Sequence, residues 1–157
     1  MAILDKELLF TGTAAAPDQA ITATAISTNV YDTGPLATGN AGIDWGVGIP
    51  LEFSVLCTVA MTDAGSDSTV TVTVETDDNA ALSSATVIET FPVFAALSAI
   101  GARRRLTVNI GLAWERFIGL RFTVANGNLS TGSFRGWAAP LGHNSALKKF
   151  AIGSNFF

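Results

Sequence analysis

Leu51-Glu52-Phe53-Ser54-Val55-Leu56-Cys57-Thr58-Val59-Ala60-Met61 is the stretch that decides the fold class. Its odd positions, Leu51, Phe53, Val55, Cys57, Val59 and Met61, are apolar throughout. The even ones, Glu52, Ser54, Leu56, Thr58 and Ala60, are mixed. A period of two sustained this far is a long β-strand with one buried face. After the polar turn Asp63-Ala64-Gly65-Ser66-Asp67 the alternation resumes, with Val70, Val72 and Val74 set against Thr69, Thr71, Thr73 and Glu75. The spacing predicts a hairpin between the two stretches, closed by a loop of about five or six residues.

Outward from this pair the same period recurs. Ile21–Tyr31 is rich in Ala, Thr and Ile, and Thr86–Phe91 is a short strand stopped by Pro92. Leu106, Val108 and Ile110 alternate with Arg105, Thr107 and Asn109. Ile118, Leu120, Phe122 and Val124 alternate with Gly119, Arg121 and Thr123. Asn126-Gly127 supplies the positive backbone dihedrals of a tight turn, so Phe117–Val124 and Gly132–Ala139 are expected to pair as a second hairpin. Helix is scarce: only Phe94–Ile100 has room for a turn or two before Gly101. Regularly spaced strands of this kind predict an all-β, antiparallel, jelly-roll-like sandwich of about eight strands. The expected core is Phe53, Val55, Cys57, Val59, Val70, Val72, Val74, Leu120 and Phe122. Thr33–Gly48, with five glycines and Pro35, reads as a long irregular loop in which Ile43 and Trp45 pack on something.

One domain accounts for residues 1–139, and 140–157 read as a C-terminal arm without strand or helix period. Phe150, Ile152, Phe156 and Phe157 in that arm are expected to dock, on another protein, on a second copy or back on the sandwich. The charged fraction, 14%, is well below the ~25% of ordinary soluble domains. No apolar run reaches the ~18 residues of a membrane span, so the apolar surplus belongs in a core or an interface. A net charge of −4 argues against nucleic acid as a partner. The acidic start, Asp5 and Glu7, lacks the pattern of a secretion signal, and synthesis in a reducing compartment is expected.

Catalytic constellations are not legible, and neither an enzyme activity nor a cofactor is expected. His143 is the single imidazole. Ser145 or Ser133 is the nominal nucleophile for it, but neither stands in a Gly-x-Ser-x-Gly elbow, and a surface or interface histidine is the simpler reading. One histidine cannot build a His-rich metal centre. Asp77-Asp78-Asn79 fits either a calcium ligand set or an acidic turn bonded to its own amides, and the turn is preferred. Cys57, inside an apolar strand, reads as a buried small hydrophobe. Trp45, Trp114 and Trp137 suit either a sugar-stacking platform or core and interface packing. Arg103-Arg104-Arg105 is the densest basic run. It meets either an acidic protein surface or solvent along a strand edge, where charge discourages aggregation.

Several stretches resemble the jelly-roll cement (decoration) proteins of tailed-bacteriophage capsids. Ile3-Leu4-Asp5-Lys6-Glu7-Leu8-Leu9-Phe10, with Ala20–Ala25 and Ser27-Thr28-Asn29-Val30, resembles the start of that family. Glu75-Thr76-Asp77-Asp78-Asn79-Ala80-Ala81-Leu82-Ser83-Ser84 and Glu115–Val124, then Gly132, resemble later parts of it. The resemblance implies a non-enzymatic protein on the outer surface of the virion shell, bridging capsomers. Its expected partners are the major capsid protein and further copies of itself, a dimer being favoured over a trimer. The candidate interface is Arg103, Arg104, Arg105, Trp45, Lys148, Lys149, Phe150, Phe156 and Phe157. The competing expectation is a carbohydrate- or receptor-binding jelly roll of a phage tail or fibre. A head-completion or tail-tube component is a third.

Overall fold

Alternation fixes which face of each strand avoids water, and the architecture follows from how those faces meet. The computed structural model describes residues 9–13, 15–34, 50–108 and 114–140. Sheet A runs, in spatial order, β1 (Gln19–Ala20), β9 (Thr131–Pro140), β4 (Leu51–Thr62) and β7 (Arg103–Val108). Sheet B runs β2 (Ala25–Ile26), β8 (Phe117–Ala125), β5 (Thr69–Asp77) and β6 (Thr86–Thr90), with β3 (Tyr31–Asp32) also beside β8. All these pairings are antiparallel. Except for β2–β3 and β5–β6, consecutive strands lie in different sheets. The result is an antiparallel β-sandwich.

Both expected hairpins are corrected by this topology. β4 bonds to β9 and β7, whereas β5 bonds to β8 and β6, so the two stretches face each other across the core. Period two states that a face is buried but not which strand lies alongside. Each of these strands is central in its own sheet, and facing buries both apolar sides against each other. The turn between them is an arch in which Asp63 Oδ2 accepts the amides of Asp67 and Ser68 at 3.3 and 3.4 Å. Likewise β8 lies in sheet B and β9 in sheet A. Asn126 and Gly127 do take positive φ, 65° and 111°, yet the chain runs on to Leu129, which plugs the core, before β9 begins. The extra length carries it across.

The core contains Phe53, Val55, Cys57, Val70, Val72, Val74, Leu120 and Phe122, all fully buried. Phe122 of sheet B and Phe134 of sheet A meet with ring centroids 5.6 Å apart, and Phe94 meets Phe134 edge-on at 5.1 Å. Gly136 leaves room for the facing sheet: a Cβ there would stand 2.6 Å from Leu120 Cδ1. Val59 is the exception among the expected core residues, at 44% exposed. The register of β4 slips between Cys57 and Val59 and again before Thr62, turning Val59 outward and returning Met61 inward.

Two further expectations change. Ile21–Tyr31 is not one strand; Ile21 is buried, and the stretch crosses from sheet A to sheet B through β2 and β3. Phe94–Ile100 forms turns rather than helix. Phe94 pairs with Val70, and Ser98 and Ala102 bond alongside Met61 and Cys57, which straps the segment across the side of the sandwich. The long Gly-rich loop and the C-terminal arm lie outside the described residues, apart from Thr33, Gly34 and the last residue of β9.

Candidate functional site

The basic run falls on β7, the outermost described strand of sheet A. Alternation splits it. Arg103 and Arg105 lie opposite Leu56 and Ser54 of β4, on the outer face of the sheet, while Arg104 lies opposite the inward Val55. Arg103 stacks its guanidinium over Trp137 at 4.9 Å and donates to Ser54 Oγ at 2.9 Å. Its charge is 3.9 Å from Glu52, and that of Arg105 is 4.0 Å from the same carboxylate. Desolvation, then the neighbouring charge of Arg105, pulls the Arg103 pKa down against the pull of Glu52. Arg104 instead caps Phe94 at 4.9 Å and donates from Nε and Nη2 to Val93 O at 3.3 and 3.2 Å.

The other described arginines differ. Arg116, Arg121 and Arg135 each hold a carboxylate of their own at 2.8 Å, from Asp32, Glu75 and Asp18 respectively. On β7, Arg103 and Arg105 share Glu52, at 3.9 and 4.0 Å, and Arg104 has no ion pair among the described residues. The rim is therefore a local positive surplus on an acidic chain. Glu52 was visible in the sequence only as a polar residue on a strand; its role depends on the β4–β7 register, which no local pattern encodes.

Glu75 and Arg121 were not singled out by the sequence either. Arg121 donates to both Glu75 oxygens at 3.0 and 2.8 Å and to Leu82 O at 2.8 Å, so the pair pins the β5–β6 loop over sheet B. Leu82 is buried there at positive φ, 48°. The task of this pair is structural.

Asp77, Asp78 and Glu115 place carboxylates within 4.8 Å of one another. Asp77 spends its oxygens locally, on Ser84 N at 2.8 Å, Ser84 Oγ at 3.1 Å and Asn79 N at 3.2 Å. Those bonds, the Ser84 amide first, hold its carboxyl below the ordinary range. This is the acidic turn bonded to its own amides. Cys57 is fully buried, and desolvation pushes its thiol up, away from the reactive thiolate.

The described tryptophans do not share a face. Trp114 packs toward the core, 6.5 Å from Phe53, while Trp137 lies beside Ser54 on the outer face of sheet A beneath Arg103. They build no common stacking platform. Ser133 lies on β9, paired with Ala20 and Val59. Trp45, His143, Ser145, Lys148, Lys149, Phe150, Phe156 and Phe157 lie outside the described residues. Among those described, no helix is long and apolar enough to cross a membrane.

Fold and rim together define an antiparallel β-sandwich with a cationic edge. Residues 15–137 match the family model Bbp16, a phage-type family designation. That is well over half of the sequence, and the chain belongs to the Bbp16 family. No curated protein matches it.

Proposed function

We propose that this chain is a capsid cement protein, a non-catalytic decoration that binds the outer surface of the assembled shell and stabilises it by bridging capsomers. The observation that carries the reading is the β7 rim, where Arg103 and Arg105 share one distant carboxylate and Arg104 has no ion pair among the described residues, while the other described arginines are each paired at 2.8 Å. An unneutralised edge on an acidic protein favours an acidic protein surface as its counterpart. The phage-type family and the resemblance to decoration proteins supply the shell as the source of that surface. Each exposed pair contributes only ~0.2–1 kcal/mol, so the effect comes from repetition over many sites on one particle. The partners in this reading are the major capsid protein and further copies of the chain.

The test is attachment at varied salt. Changing Arg103, Arg104 and Arg105 together to Ser should weaken binding to shells and flatten its salt dependence. Unchanged occupancy at both low and high salt would return the rim to the role of a solvated strand edge.

A further inference from the structure

We propose that the crossover 91–102, together with the adjoining end of β4, is the face that docks the shell, and that its partner is a protein surface presenting an apolar patch rimmed by carboxylates. The inference rests on the shell-binding reading and assigns it a face. Val93, Leu97 and Ile100 are 46%, 54% and 69% exposed, and Val59 is 44% exposed. With Val87 of β6, these are the large exposed hydrophobics of the described residues. They are not scattered, because four of the five belong to one crossover and the strand end beside it. Met61 N donates to Ser98 O, and Gly101 N donates to Cys57 O; these bonds bracket Val59 and Ile100 and make them neighbours.

Backbone geometry points the same way. Leu97 holds φ at +58°, a region that branched side chains avoid, and it does so with its side chain in water. Gly101, at φ +89°, opposes Cys57 jointly with Ala102: Gly101 N donates to Cys57 O, and Cys57 N donates to Ala102 O. That is a glycine bulge of the kind that re-aims a strand at its rim.

Charge selects the occupant. Arg104 is bonded to Val93 O within the crossover and has no ion pair among the described residues. At the next position, Arg105 adds positive charge on the outer face of β7 with only a distant share of Glu52. A nucleic acid would satisfy the arginines but leave the apolar ridge in water, and a neutral apolar surface would bury unpaired charge. An apolar patch with a carboxylate rim satisfies both.

The experiment uses the purified full chain and expanded shells of the phage that encodes it. The double variant Leu97→Asn/Ile100→Ser keeps the fold, since Asn accepts positive φ. Its melting temperature should equal or exceed that of the parent, and shell occupancy should fall by about tenfold or more. Val87→Ser, equally exposed but on β6, should bind as the parent does. Ile100→Glu, which sets an acid against acids, should lose binding by itself. If the parent binds and the double variant and Ile100→Glu bind equally well, this inference falls while the shell reading stands. If the double variant keeps its occupancy but loses self-association, the face joins copies of the chain and the inference is overturned. A parent that binds no shell overturns both.

Discussion

Phe53 is fully buried between Phe10, at 5.7 Å, and Trp114, at 6.5 Å. Truncation to Ala removes most of a ring from a site walled by both sheets. Phe53→Ala should therefore destabilise by ~3–5 kcal/mol in denaturant melts. Val59, two positions past Cys57 in the same alternation, gives the contrast: Val59→Ser should change stability by less than ~0.5 kcal/mol. This difference marks where the sequence stops being legible at the residue scale. Parity places Leu51 to Cys57 correctly. The register slip that reverses Val59 is imposed by pairing with Ser133 and the crossover, both remote in sequence. Asp32 offers a titration test. Two hydrogen bonds from Arg116 and one from the Gly34 amide lower its carboxyl to about 2. The folded value lies below the unfolded one, so this stabilisation is complete above the unfolded pKa and is lost as pH falls through the folded value. Asp32→Asn should flatten the pH–stability curve between its ordinary value, about 3.9, and about 2.

At the scale of elements, the long strands β4, β5, β8 and β9 were readable because each buries one face across most of its length. Their partners were not. A short polar turn closes either a hairpin or an arch between sheets, and the choice is made by where the buried faces find each other. The Asp63–Ser68 and Asn126–Ser130 connections are both arches, held by Ser68 Oγ donating to Gly127 O at 3.1 Å. In sequence, Phe94–Ile100, the middle of the crossover 91–102, has room for a turn or two of helix, and the structure departs from this for a related reason. Its Ala and Leu content favours helix locally, but backbone bonds to β4 and β5 hold it across the sandwich side. Gly101 is its hinge. Nothing lies within 4 Å of a Cβ built there, so Gly101→Ala meets backbone strain alone. That substitution should destabilise by ~1–2 kcal/mol in urea melts, and Gly101→Asn by less.

At the scale of the whole molecule, the sandwich presents two unlike flanks. Beyond β9, residues 9–11 and β1 cover the edge of sheet A, with Phe10 N donating to Gly136 O and Thr11 Oγ1 accepting from Gly136 N. At β7 the outermost described strand carries unneutralised arginines, and the crossover beside it shows apolar side chains to water. Under the shell-binding proposal these form one interface: a ridge that would gain by burial and a cationic margin that would select its partner. The low charged fraction pointed to such a surface, but its location depends on which strands end each sheet. The cement account is tested most directly by co-sedimenting the purified chain with expanded shells and with unexpanded precursor shells of its phage. Saturable binding to expanded shells, absence from precursors and a rise in the temperature of shell rupture are the predicted results. Binding to neither shell, or equal binding to both with no gain in rupture temperature, would contradict the account.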